Sequence, residues 1–139
     1  VRPSDDLEFK LYPNREDSLE RVMEALGAEP VDFPGKTRCC GFPLLTINEK
    51  NSVQMVANHT MSAKQLGADA LVTPCPLCHL NLDGYQPSAM KQTQQDINIP
   101  IIHLPQLVGL AMGFDPKELG LSRHIISTKK VLSKIQVAA

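Results

Sequence analysis

The chain has 139 residues, 42% of them hydrophobic and 4% aromatic, with no tryptophan and a formal net charge of −1. That length fits one domain able to bury most of its apolar surface without disulfide staples, and the near-neutral charge, free of any basic run, argues against an electrostatic nucleic-acid footprint. No apolar stretch is long enough to span a bilayer and Val1-Arg2-Pro3-Ser4-Asp5-Asp6 is too charged to open a signal peptide, so composition points to a cytoplasmic chain.

Residues 1–13 are polar, carry Pro3 and Pro13, and read as a loop entering from upstream. Asn14 to Asp17 offer capping groups for a helix in which Leu19, Val22, Met23 and Leu26 recur at helical spacing, with Gly27 as its C-cap. Pro30-Val31-Asp32-Phe33-Pro34 suits a brief strand running into Gly35-Lys36-Thr37-Arg38 and the pair Cys39-Cys40. Asn48 caps a second helix to about Leu66, with Val53, Val56, Ala57, Thr60, Met61 and Lys64 near one stripe and Gly67 as its end.

Ala70-Leu71-Val72-Thr73 has the length of a buried parallel strand, closed by Pro74. A helix begins at Pro76, where proline is tolerated in a first turn. Gly84 and Pro87 predict a break before residues 88–95. Ile99 to His103 reads as a third strand, Leu104 to Met112 as a helix stopped by Gly113, Asp115 to Gly120 as a single capped turn, and residues 127–136 as a last helix capped by Ser127. Helices alternating with strands imply crossover connections and a parallel sheet. The expected fold is a small α/β, three-layer, Rossmann-like domain spanning 1–139, with the cysteine loops at the carboxyl ends of strands, where open α/β sheets place their ligand crevice.

Every cysteine falls in one of two groups, Cys39-Cys40-Gly41 and Cys75-Pro76-Leu77-Cys78, separated by residues 41 to 74. A Cys-x-x-Cys at a strand-to-helix junction serves either as a thioredoxin-like dithiol or as half of a metal site, because the helix N-terminus stabilises the thiolate that is both nucleophile and ligand. The adjacent pair favours a multi-metal centre: one sulfur can bridge irons while its neighbour binds terminally, and Gly41 relieves the crowding. Cys39, Cys40, Cys75 and Cys78 are thus the candidate cofactor and metal ligands. A structural zinc on the same four sulfurs, a dithiol oxidoreductase using Cys75 and Cys78, and plain burial of small hydrophobes are the competing readings. Lys36 and Arg38 could offset thiolate charge.

At these residues the chain resembles the CCG domain, the cysteine-rich module of the heterodisulfide reductase B subunit and its relatives. The resemblance rests on Cys39-Cys40-Gly41-Phe42-Pro43 and Cys75-Pro76-Leu77-Cys78-His79, extended by Asn81-Leu82-Asp83, His103-Leu104-Pro105-Gln106-Leu107 and Gly113 to Leu121. It is similar to the second, C-terminal copy of a tandem pair. The resemblance implies a noncubane [4Fe-4S] cluster held by five cysteines, of which Cys39, Cys40, Cys75 and Cys78 are four. The pattern's lone first cysteine would fall near or just before Val1, and this sequence lacks it, so the chain reads as a fragment of a two-module protein, expected to fold empty or with zinc. The resemblance further implies reductive disulfide cleavage in the intact complex, with the preceding CCG module and an electron-donating ferredoxin-like [4Fe-4S] protein as partners and a disulfide as substrate; the isolated chain should not turn over.

His79, beside Cys78, is the one candidate catalytic residue, as a proton or substrate contact. His59, His103 and His124 lack ligand-like spacing and are assigned structural roles, and Met55 and Met61 are assigned to the core. Asn58-His59-Thr60 matches a glycosylation acceptor but lies within a helix and is assigned to chance. Pro105 to Met112 is apolar enough for a contact with the preceding module, although a core helix has the same pattern.

Overall fold

The computed structural model describes residues 17–138. The chain divides into two compact units, Val1–Pro30 and Val31–Ala139. In the first, α1 spans Ser18–Ala25 with Asp17 at its N-cap position, and Gly27 follows it with φ +83°. Asn14 to Glu16, expected to help cap it, lie outside the described residues.

The second unit carries all four cysteines and begins differently from expectation. Residues 30–34 form no strand: 30–33 have no regular structure and turns follow at 34–37, where Lys36 N–H donates to the Phe33 carbonyl at 3.2 Å and Arg38 N–H to the Gly35 carbonyl at 3.0 Å. Pro30 and Pro34 have no N–H for a ladder, and although Phe33 packs against the core, Val31 is 42% exposed, so the segment has no continuous apolar face to drive it into a sheet. The Cys39-Cys40 pair therefore leaves a turn, not a strand, and enters a 3-10 turn at Phe42–Leu44.

Helix α2 follows at Glu49–Gln65, its first turn closed by Asn48 Oδ1, which accepts from Asn51 N–H at 3.1 Å. Its inner face buries Val53, Val56, Ala57 and Ala63, with Ser52, His59 and Thr60 among them. Strand β1 is Leu71–Thr73 and β2 is Ile101–His103; they pair in parallel with Leu71 opposite Ile101 and Thr73 opposite His103. Between them run α3 (Pro76–Gly84) and α4 (Gln86–Thr93), broken at Tyr85 as Gly84 and Pro87 require. Helix α5 (Leu104–Ala111) leaves β2 directly, a 3-10 turn covers Leu121–Arg123, and α6 (Lys129–Ala138) ends the described chain. The sheet thus has two strands among the described residues, with the βαβ connection expected of an α/β domain.

Ile97, Ile101, Ile102 and Val56 are essentially solvent-free and form the core with Leu71, Leu82 and Ala89; each large aliphatic contributes about 1.5–3 kcal/mol by burial. One buried polar residue ties the helices to the sheet. Gln86 Nε2 donates to the carbonyls of Leu82 at 3.0 Å and Ile99 at 2.8 Å, while its Oε1 accepts from Ile99 N–H at 3.1 Å. No described helix is long and apolar enough to cross a membrane.

Candidate metal centre

Parallel pairing puts the carboxyl ends of β1 and β2 side by side, so Cys75 and His103 emerge next to one another. Thr73 Oγ1 accepts from Cys75 N–H at 3.3 Å, turning the chain into α3 with Cys75 at the N-cap and Pro76 in the first turn. The Cys78 N–H then points back at the Cys75 sulfur and holds that thiol below its ordinary value, with the Cys78 S–H and Leu77 N–H adding to the effect against a contribution from burial. Cys78 is pushed the other way, up to about 12, first by burial and then by its hydrogen bonds and charge interactions with Cys40 and Cys75. Cys78 is therefore within interaction reach of both Cys40 and Cys75, and no disulfide joins any of the three. Cys39 is exposed beside them on the CCG loop.

Three side chains hold that loop by three successive carbonyls. His59 Nε2 lies 2.9 Å from the Cys39 carbonyl, Asn81 Nδ2 donates to the Cys40 carbonyl at 2.8 Å, and Ser52 Oγ donates to the Gly41 carbonyl at 2.8 Å. With every carbonyl turned into the protein, the Gly41 N–H faces the Cys39 sulfur at 3.5 Å. Gly41 has φ +92°, and a Cβ there would stand 3.2 Å from the Ser52 carbonyl oxygen and 3.1 Å from Met55 Cβ. Gly35 makes room for the His59 ring in the same way, since a Cβ there would come within 2.5 Å of Nδ1. Paired thiol donors, a glycine cradle and N–H groups aimed at sulfur suit a thiolate-bound metal or cluster.

A second cluster adjoins the cysteines. His79 lies edge-on to His124, with ring centroids 4.7 Å apart, and to His103 at 6.0 Å. Burial lowers the His79 pKa, the neighbouring His124 adds to this, and Asp83 and the Ile101 carbonyl oppose it. One ligand-type atom each from His79, Asp83 and His124 lies within 4.8 Å of the others. The hydrogen bonds nevertheless argue against a metal here. Gln106 Oε1 accepts from His103 N–H at 3.0 Å and its Nε2 donates to the Leu119 carbonyl at 3.0 Å, which fixes the amide, so the same Nε2 donates to His124 Nε2 at 3.0 Å. His124 must then carry its ring proton on Nδ1, presenting a donor rather than a lone pair. Asp83 already accepts from Ile125 N–H at 2.8 Å and Ile126 N–H at 3.1 Å, pinning the loop that brings His124 in. A cavity of about 400 Å³ opens between α3 and this loop, lined by His79, Asp83, Gln106, Arg123, His124 and Ile125 among others.

Of the expected site residues, Cys78 meets both Cys40 and Cys75, Cys39 lies next to Cys40 on the same loop, and His79 stands one residue beyond Cys78, facing the other histidines rather than open solvent. Met61 packs on the core as expected, and Met55 lies against Gly41. Sequence reading missed the roles of Ser52, His59, Asn81 and Gln106. The usable signal was a polar residue within an apolar stripe, as with Ser52 and His59 on α2, because a buried polar group needs a partner.

The fold and the grouped cysteines define a cysteine-rich module on a small α/β scaffold. Residues 5–83 match the family profile of the CCG cysteine-rich domain, and the chain belongs to that family. It is 40% identical over 131 residues to the 8-methylmenaquinol:fumarate reductase membrane anchor subunit of Wolinella succinogenes, covering 94% of this chain and 46% of that protein. It is 33% identical over 119 residues to the B subunit of the ferredoxin:CoB-CoM heterodisulfide reductase of Methanosarcina mazei, covering 84% of this chain and 40% of the relative. A protein of Archaeoglobus profundus described as like the heterodisulfide reductase B subunit is 32% identical over 118 residues, 79% of this chain and 40% of its own length. The chain spans less than half the length of these relatives.

Proposed function

We propose that the chain is an iron–sulfur-binding redox module of a multisubunit reductase, with Cys39, Cys40, Cys75 and Cys78 as four ligands of a noncubane [4Fe-4S] cluster. The observation that carries this reading is that Cys78, at the start of α3, reaches both Cys75 and Cys40 as free thiols, with Cys39 next to Cys40 on a loop whose N–H faces sulfur. A cluster there supplies one-electron transfer and a place for a product thiolate. The protein's own residues orient the sulfurs, and His79, flanked by His124 and His103, stands as a hydrogen-bonding contact next to them. The names of the relatives support a protein working with partner subunits; reductive disulfide cleavage, a preceding CCG module, a ferredoxin-like donor and a cytoplasmic setting complete the proposal. Anaerobic reconstitution of the full-length protein with iron and sulfide should bring thiolate-to-iron absorption and an EPR signal on oxidation. Retention of the fold with no iron uptake, or with zinc alone under the same conditions, would contradict it.

A second reading is dithiol exchange at Cys75-Pro76-Leu77-Cys78, favoured by the lowered Cys75 and raised Cys78 thiols. It requires thiol exchange by the metal-free protein that disappears in Cys75→Ser; absence of exchange in the unsubstituted protein rejects it.

A further inference from the structure

Asn81 is completely buried on α3 and touches the CCG loop at one peptide. Its Nδ2 donates to the Cys40 carbonyl at 2.8 Å, and the N–H at the other end of the same peptide, that of Gly41, faces the Cys39 sulfur at 3.5 Å. Donation to a carbonyl polarises the amide and strengthens its N–H, because hydrogen bonds in a chain reinforce one another at low dielectric. The Asn81 orientation is fixed independently. Ser52 gives its hydroxyl proton to the Gly41 carbonyl and so turns a lone pair to the Asn81 Nδ2, 3.5 Å away. Asn81 Oδ1, by contrast, is buried and has no partner among the described residues, so the side chain is held in place by what it donates.

Building on the iron–sulfur reading, we infer that Asn81 is a positioning residue acting through the Cys40–Gly41 peptide on the Cys39 sulfur, and that it raises the reduction potential of the centre. A hydrogen bond to a ligand sulfur draws electron density from it and favours the more negative, reduced state. Cys39 is the exposed member of the four, so this N–H is an ordered donor at the sulfur most open to solvent.

The test is an EPR-monitored redox titration of the reconstituted full-length protein in Asn81→Leu, Asn81→Asp and Ser52→Ala forms. Asn81→Leu removes the donor with little change of volume and also removes the unpartnered Oδ1, which limits its effect on folding. It should shift the oxidised-to-reduced ratio at fixed potential about three- to tenfold toward the oxidised form, tenfold being 59 mV for one electron. Asn81→Asp, which puts an acceptor against the Cys40 carbonyl, should shift it further in the same direction. Ser52→Ala removes the long 3.5 Å contact that helps orient the Asn81 amide but leaves its 2.8 Å donation to the Cys40 carbonyl, and should shift the ratio less than Asn81→Leu does. The inference is overturned if Asn81→Leu or, where that variant does not fold, Asn81→Asp takes up iron with an unchanged potential, or if Ser52→Ala moves the potential equally. An unsubstituted protein that takes up no iron overturns the iron–sulfur reading itself, and this inference with it.

Discussion

Gly41→Ala tests the geometry of the CCG loop most sharply. Gly41 sits at φ +92° and ψ −4°, where a side chain costs about 1–2 kcal/mol through its Cβ and the following carbonyl. The added methyl would also stand 3.1 Å from Met55 Cβ and 3.2 Å from both Met55 Sδ and the Ser52 carbonyl oxygen. The sulfur can swing aside, but Met55 Cβ and the Ser52 backbone belong to α2 and cannot, so the loop must lift. Lifting weakens the 2.8 Å bond from Ser52 Oγ to the Gly41 carbonyl, which adds about 1 kcal/mol. The sum is about 2–3 kcal/mol, which at a urea m-value of roughly 2 kcal/mol/M lowers the midpoint by about 1–1.5 M with m unchanged. Far-UV CD during urea titration of the metal-free protein under reducing conditions reads this directly. Gly84→Ala is the control, since a Cβ there meets nothing within 4 Å. A Gly41→Ala midpoint no lower than that of Gly84→Ala would mean that the loop is not held against α2 in this way.

The pH dependence of the metal-free protein should carry the Cys78 signature. Its folded pKa of about 12 lies above the ordinary 9.0, so its contribution is complete below pH 9 and is lost as pH rises toward 12. The slope is at most about 1.4 kcal/mol per pH unit and less for a half-buried sulfur; urea midpoints at pH 8 and pH 10.5 should fall more in the parent than in Cys78→Ala, and parallel falls would reject the assignment. Gln86→Leu strands the Ile99 N–H and the Ile99 and Leu82 carbonyls in the core, an expected loss of about 2–4 kcal/mol in chemical denaturation; a loss below about 1 kcal/mol would show that the bridge is dispensable. Gly35→Ala drives a methyl to 2.5 Å from His59 Nδ1 and breaks the hold on the Cys39 carbonyl. His59→Ala should relieve that clash, so the double variant should be less destabilised than the sum of the single ones. Strict additivity would place the clash elsewhere.

Local signals in the sequence were read correctly where the physics was local. Asn48 and Gly67 bracket α2 because an N-cap acceptor and a left-handed glycine act within one turn. The Leu71–Thr73 strand, followed by proline at the start of α3, is enough to put Cys75 and Cys78 at a sheet edge and a helix N-terminus. The strand expected at 30–34 failed because extended, proline-bounded sequence specifies no ladder partner, and the exposed Val31 supplies no burial to recruit one. The carbonyl clamps were illegible for a different reason. His59 reaches Cys39 across 20 positions and Asn81 reaches Cys40 across 41, distances at which periodicity says nothing about contact. The three histidines were likewise scattered in sequence, and only the parallel register of Thr73 with His103 and the Asp83-pinned loop bring them around His79.

If the four cysteines form one iron–sulfur site, removing any one of them should empty or deplete it. Iron and acid-labile sulfide counted per chain after anaerobic reconstitution of the full-length protein, in parallel with Cys39→Ser, Cys40→Ser, Cys75→Ser and Cys78→Ser, read this without an activity assay. About four irons and four sulfides at this module in the parent, lost or reduced in each of the four variants, is the expected result. Normal iron content in all four variants, or a parent that folds and holds none, would contradict it.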